Sequence, residues 1–223
     1  MIPSAASILE QLEIVRFERD RREADPELGL RVEEVKRYQQ SRFIDTYTDL
    51  LQDPHYADAC RFFLEDLYGP GDHSVRDAQF ASVVPTLCRL FPPDVTATVE
   101  SLARLHAVSE QLDTEMAGHV VGPSVTSAAY SLAWKRTGRP DSRSLQLELL
   151  LAVGRALQLY TQRPLMRQAL RSMRLPAKVA GLADLQKFLE RGFSIFSSMA
   201  APNAFLGYIA EREKQYAEHQ FGA

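Results

Sequence analysis

Leu145-Gln146-Leu147-Glu148-Leu149-Leu150-Leu151-Ala152-Val153-Gly154-Arg155-Ala156-Leu157-Gln158-Leu159-Tyr160 decides the fold class. Leucines recur on nearly every side of a 3.6-residue turn, so a helix formed here has to be surrounded by other helices. Alternating β-branched and aromatic runs, the mark of half-buried strands, are almost missing elsewhere in the chain. The reading is an all-α protein with this stretch as its central core helix. Its polar members Gln146, Glu148, Arg155 and Gln158 break the apolar run, and no window approaches 18 uninterrupted apolar residues, so no membrane span is expected.

Working outward, Thr137-Gly138-Arg139-Pro140 closes a preceding helix that runs through Trp134, and Pro164 and Pro176 bracket a short following one. Beyond it, Leu182, Leu185, Phe188, Leu189, Phe196 and Met199 form a stripe with Gly192 in its middle, where a neighbouring backbone can come close. A last helix spans about Asn203 to Gln220. At the other end, Ser4 caps a helix carrying Ile8, Leu12 and Val15, followed by Arg16–Asp20, Glu18–Arg22 and Arg19–Glu23 pairs on a solvated face. A second helix runs from Asp25-Pro26 to about Gln52, and a third from about Tyr56 to Tyr68, ending at Gly69-Pro70-Gly71. A fourth starts near Ser74, with Pro85 as a kink or break, and a fifth covers Asp94 to about Val120. This gives a single bundle of about eight to nine helices over residues 1–223, with 1–25 as a helical N-terminal arm.

The composition suits such a bundle. Of 223 residues, 45% are apolar and 25% charged, and 26 basic against 29 acidic side chains leave a net charge of −3. A chain of this length buries about 70% of its unfolded surface and folds without a disulfide framework or a structural metal. Cys60 and Cys88 sit inside apolar helical patterns rather than in a spaced set, which suits a reducing compartment. Met1-Ile2-Pro3-Ser4 leads into charged sequence without a secretory signature, and the expected location is the cytoplasm.

The most distinctive segment is Phe62-Phe63-Leu64-Glu65-Asp66-Leu67-Tyr68-Gly69-Pro70-Gly71-Asp72-His73-Ser74-Val75-Arg76-Asp77. With its phrase Phe-Phe-Leu-x-Asp-Leu-Tyr-Gly-Pro, the chain resembles a bacterial all-helical family that carries a domain of unknown function. The likeness extends from about Tyr38 through Leu112-Asp113 and toward Phe188–Phe193, and it implies no activity, substrate or cofactor. From the residues themselves, Glu65 and Asp66 stand in the last turn of a helix, where the macrodipole disfavours negative charge. Either Arg61 and Arg76 pair with them, or Asp66, Tyr68, Asp72, His73 and Arg76, with His106 from the long fifth helix, form the polar wall of a ligand site.

On that fifth helix His106, Glu110 and Asp113 share one face, whereas Glu115 and His119 fall on the opposite one, so a straight helix cannot gather both sets around a metal. No metal site is expected. His106 is the candidate for a proton-transfer or haem-ligand role, although no haem attachment motif is present. A nucleophile elbow, a phosphate-binding glycine loop and paired Cys-x-x-Cys are all missing.

Arg163, Arg167, Arg171 and Arg174 fall within an arc of about 80° on the short helix, with Leu165, Met166, Ala169, Leu170 and Met173 on the other side. Guanidinium forks in a row can take an acidic partner or an anionic ligand, or pair with nearby carboxylates on a solvated face, and the apolar side is expected to be buried. The negative net charge argues against nucleic acid. The leading functional expectation is a dimeric binding or regulatory protein whose amphipathic helices lend apolar stripes to a second copy. The alternative is a small-molecule or cofactor pocket, with or without enzymatic activity, between helices near Asp66, Tyr68, His73 and His106.

Overall fold

A computed structural model of the protein describes residues 4–67, 74–120 and 124–222, the side chains of Asp66 and Leu67 excepted. Among them the only regular structure is helical: α1 (Ala5–Ala24), α2 (Pro26–Thr46), α3 (Thr48–Gln52), α4 (Ala57–Phe62), α5 (Ser74–Leu90), α6 (Pro93–Ala117), α7 (Ser127–Thr137), α8 (Pro140–Thr161), α9 (Pro164–Ser172), α10 (Arg174–Val179), α11 (Ala183–Ser198) and α12 (Pro202–Gly222). The all-α class holds, but the chain is cut into more segments than eight or nine. Tyr47 interrupts the second expected helix, α4 passes into one wide π turn over Phe63–Leu67, and Met173 separates α9 from α10. Pro85 does not break the helix and is carried inside α5.

Local chemistry sets most of the ends. Ser4 and Ser7 form a capping box that starts α1, and the Asp25 carboxylate accepts from the Leu28 amide to start α2. Prolines stand in the first turns of α2, α6, α8 and α9, where a missing amide hydrogen costs nothing.

The centre of the bundle is α6 rather than α8. Twelve residues of α6 are buried against six of α8, because α6 is covered by α1, α2 and α8 together. Ile8 and Leu12 of α1 pack with Val84 and Ala103, so the first helix lies against α5 and α6. Leu28, Val32 and Val35 of α2 meet Met116, Tyr130 and Trp134. The largest cluster joins Tyr47, Phe63, Leu105, Leu112, Leu149, Phe205 and Ile209, tying α4, α6, α8 and α12 together. Each such side chain contributes about 1.5–3 kcal/mol through burial.

Two glycines mark close approaches. A Cβ on Gly154 of α8 would stand 2.6 Å from Leu206 Cδ2, which lets α12 settle directly on α8. At Gly192 the close neighbour is a ring and not a backbone, since a Cβ there would stand 3.1 Å from Phe62 Cζ. Among the described residues no helix is long and apolar enough to cross a membrane.

Candidate functional site

Three helices carry an apolar stripe that turns polar without changing its spacing. On α1 the buried Ile8, Leu12 and Val15 are followed at the same alternating steps by Arg19 and Arg22. On α2, Leu28, Val32 and Val35 lead to Gln39 and Arg42. On α6, Ala103 leads to His106, Glu110 and Asp113. Polar groups on an inward-facing stripe need partners there, because an unpaired buried charge is costly.

Those partners are one another. Arg22 places Nη1 2.5 Å from Glu110 Oε2, and its Nη2 donates to the Glu110 carbonyl at 2.9 Å and to Thr114 Oγ1 at 2.6 Å. Lys36 Nζ donates to Glu110 Oε1 at 2.7 Å, and Gln39 Nε2 donates to Asp113 Oδ1 at 2.9 Å. Next to them Asp77 of α5 receives Arg19 Nη2 at 2.5 Å and His106 Nε2 at 2.8 Å. Further along α2, Arg42 grips Glu213 of α12 with two bonds of 2.9 and 3.0 Å, and the Tyr47 hydroxyl donates to the same carboxylate at 2.8 Å. A seam of charge therefore runs through the bundle along α2 and α6.

The carboxyls respond in opposite directions. Burial pushes Glu110 up, but Lys36, Arg22 and His106 outweigh it and hold the group at about 2, below its ordinary 4.5. Asp77 is likewise lowered, burial being overcome by the hydrogen bond and charge of His106 and by Arg19. Asp113 is raised, because burial outweighs Lys36 and Gln39 and the neighbouring Glu110 adds to it. A lowered folded value means that stability present above the unfolded value is lost as the pH falls through the folded one. Glu110 thus predicts that the urea midpoint declines from about pH 5 toward pH 2, and Glu110→Gln is expected to flatten that decline. Asp113 has the opposite sign: its stabilising proton is lost as pH rises, so Asp113→Asn is expected to raise the midpoint at neutral pH.

Two cavities open on the seam. The smaller, about 90 Å³, is lined by Arg76, Asp77, His106, Lys36, Glu110 and the Phe188 ring, among others. The larger is a cleft of about 730 Å³ between α2, α6, α7, α8 and α12, with Arg42, Phe43, Tyr130, Trp134, Arg143 and Phe221 in its wall. Gln39, Ser109 and Asp113 belong to both, a common partition with cavities on either side. The cleft has the volume of an ordinary small-molecule site, roughly 300–1,000 Å³.

Its wall is aromatic and charged, and Tyr38 and Tyr216 back it from outside the lining. Tyr38 stacks on Tyr130 with centroids 4.3 Å apart, and Tyr216 meets Trp134 edge-on at 5.7 Å. The Arg143 guanidinium lies 3.9 Å over the Trp134 ring and Arg42 lies 4.4 Å over Tyr216. Arg143 is only 8% exposed, yet among the described residues its polar partners are Gln146 Oε1 at 3.4 Å and Met116 Sδ at 3.5 Å, and no carboxylate pairs with it.

Of the residues expected to form a site, Tyr68, Asp72, His73 and the Asp66 side chain lie outside the described residues. Arg76 and His106 are brought together in the smaller cavity, with Asp77 between them at 3.9 and 2.8 Å and the Phe188 ring 4.6 Å from the Arg76 guanidinium. The expected Arg61–Glu65 pair is not made: Arg61 turns to Asp58 and Glu65 to Arg191. The solvated pairs expected on α1 are replaced by the long-range bonds of Arg19 and Arg22, while Arg16 pairs with Glu13 and Glu18 with Arg21. His106, Glu110 and Asp113 do share a face, as spacing indicated, but each is engaged by other side chains. Among the described residues no group of three or more His, Cys, Asp or Glu could hold a metal ion. In the arginine row, Arg163 pairs with Asp94 at 2.9 Å, Arg174 with Glu190 at 2.6 Å, and Arg167 bonds Ser197. The far side of that helix is buried only in part: Met166 and Leu170 pack against Val95, Tyr160 and Phe193, whereas Leu165 and Met173 are exposed.

The sequence profile of a domain of unknown function, DUF8198, matches residues 18–222. The chain belongs to this family. The matched span takes in Arg19, Arg22, Lys36, Glu110, Asp113 and Arg143, so the whole seam, the larger cleft and all of the smaller cavity's lining except Leu12 lie within the DUF8198 domain. No curated protein and no solved structure matches the chain. Arg143 and the cleft were missed by sequence reasoning; the polar continuation of the stripes of α1, α2 and α6 is a signal for the seam and for Arg42 in the cleft wall, not for Arg143 on α8.

Proposed function

We propose that this DUF8198 protein is a small-molecule-binding protein and that the cleft of about 730 Å³ is its ligand site. The observation that carries this reading is the construction of the wall: buried ionisable and aromatic side chains from five helices converge on one opening of ligand size. Helical bundles house ligands between facing helices in this way. The charged seam behind the wall fixes α2 and α6, and that supplies rigid support for the side chains presented to a ligand. The free thiols of Cys60 and Cys88 suit a ligand-binding role in a reducing, cytoplasmic setting.

Ser144 is exposed and lines the cleft, so Ser144→Trp fills the opening without touching the seam. Stability should change by no more than about 0.5 kcal/mol. A metabolite extract is expected to raise the melting temperature of the wild type and leave Ser144→Trp unmoved. Equal shifts in both proteins, or none in either, would contradict the reading.

A homodimer is the second reading. The apolar stripes that suggested it are covered by the chain's own helices, but Leu165, Leu175 and Val179 on α9 and α10 are 77%, 71% and 82% exposed. Those side chains favour contact with a second copy. Light scattering behind size-exclusion chromatography is expected to give twice the chain mass for the wild type and the single chain mass for a Leu175→Glu, Val179→Glu variant. A wild-type monomer at micromolar concentration rules the dimer out.

A further inference from the structure

Among the described residues, four buried side-chain nitrogens have no hydrogen-bond partner: Nε of Arg31, Arg42 and Arg143, and Nε1 of Trp134. Three of the four belong to side chains in the wall of the cleft. All are donors. A buried donor left unpaired is expensive, and folded proteins keep few of them. Three of them therefore lie buried behind the cleft wall, within side chains that also line the opening.

The pairing of charges in the wall singles out one side chain. The cations in the wall are Arg42, Arg143 and Lys214, and the carboxylates are Asp113, Glu148, Glu213 and Glu218. Arg42 is matched by Glu213 at 2.9 Å and Lys214 by Glu218 at 3.8 Å. Glu148 is exposed. Asp113 is engaged by Gln39 and lies 3.9 Å from Lys36, and it acts on Arg143 only from a distance. What is left is a guanidinium more than nine-tenths buried, 3.9 Å over an indole ring and without a carboxylate in pairing distance. A cation taken out of water without a counter-charge is unfavourable, and an oxyanion seated beside it restores the balance with paired N–H donors.

We infer that the ligand of the cleft is an organic anion, with a carboxylate or phosphate group held by Arg143 beside Trp134 and an apolar or aromatic body against Phe43, Leu147 and Phe221. This rests on the cleft being a ligand site and names the class of ligand it takes. The volume leaves room for a body well beyond the anionic head, so inorganic phosphate alone fills only a small part of it.

Trp134 is the sole tryptophan of the chain, so its fluorescence reports on the proposed anchor point directly. Four probes of one shape separate the possibilities: phenylacetate, phenyl phosphate, phenylacetamide and phenethylamine, titrated at constant ionic strength. Saturable quenching is expected from phenylacetate or phenyl phosphate, at least tenfold tighter than from the neutral amide and the amine, and the tighter of the two identifies the head group. Arg143→Met is expected to abolish that preference while melting at or above the wild-type temperature, and Arg143→Lys to keep a weakened one. The unchanged or raised melting point separates loss of a binding group from loss of the fold.

Equal binding of acid and amide, preference for the amine, no quenching by any probe, or undiminished anion binding by Arg143→Met would each overturn the inference. A ligand retained by the wild type and excluded by Ser144→Trp, but neutral or cationic by mass, would overturn it as well while leaving the cleft as the binding site.

Discussion

Glu110→Ala is expected to cost about 3–5 kcal/mol of folding stability, the range for removing one partner of a buried charge network. The carboxylate holds Arg22 at 2.5 Å and Lys36 at 2.7 Å, and its own side chain is 7% exposed. Without it Arg22 loses its carboxylate and Lys36 keeps only Asp113 at 3.9 Å, with both cations largely buried between helices. The cost is therefore mostly that of the stranded cations, not the net worth of the ion pairs. The apolar triple change Arg22→Met, Lys36→Met, Glu110→Leu is expected to recover most of the loss, because it removes both charges along with their partner. Urea unfolding at neutral pH measures all of these. A Glu110→Ala loss below about 1 kcal/mol would show that the seam is solvated in solution.

Phe205→Ala is expected to cost about 3–5 kcal/mol by a different route. Phe205 is fully buried on α12, with its ring 5.7 Å from Tyr56 and 5.8 Å from Phe63. Truncation leaves a void between α4 and α12 that the surrounding rings are too rigid to fill. Phe205 does not itself line the cleft and reaches it only through Phe63, so the variant should keep most of its affinity for a cleft ligand wherever it is still folded. Leu165→Ala, on a residue 77% exposed, is the matched control and should stay within about 0.5 kcal/mol of wild type.

The helical class, the capped start at Ser4 and the core positions Ile8, Leu12, Val15, Leu28, Val32 and Val35 are local facts, and periodicity reveals them. What periodicity left out is which helix lies at the centre. The stretch 145–160 has more leucines, yet α6 is the more buried because α1, α2, α5, α7 and α8 all pack on it, one helix more than pack on α8, and coverage is a long-range property. Glu23 stands four residues from Arg19 and Glu18 four from Arg22, which puts both arginines on a solvated face by helical spacing alone. Their true partners, Asp77 and Glu110, are 58 and 88 residues away.

Part of the site was nonetheless visible. His106 and Arg76 do share a cavity, and His106, Glu110 and Asp113 do line one face. The more informative sign lay in register: Arg22 stands two turns beyond Val15, and Arg42 two turns beyond Val35, each on the line of the buried stripe. A solvated face would have had no reason to keep that register. Arg143 gave no such sign, since the importance of one arginine in a helix depends on the absence of a carboxylate nearby, which only the packing of α7, α8 and α6 determines.

Native mass spectrometry tests the central claim most directly, with wild type and Ser144→Trp each incubated with the same metabolite extract and desalted before measurement. The account predicts a discrete added mass on the wild type, lost on denaturation and absent from Ser144→Trp. The same added mass on both proteins, or a bare chain in both, would contradict it.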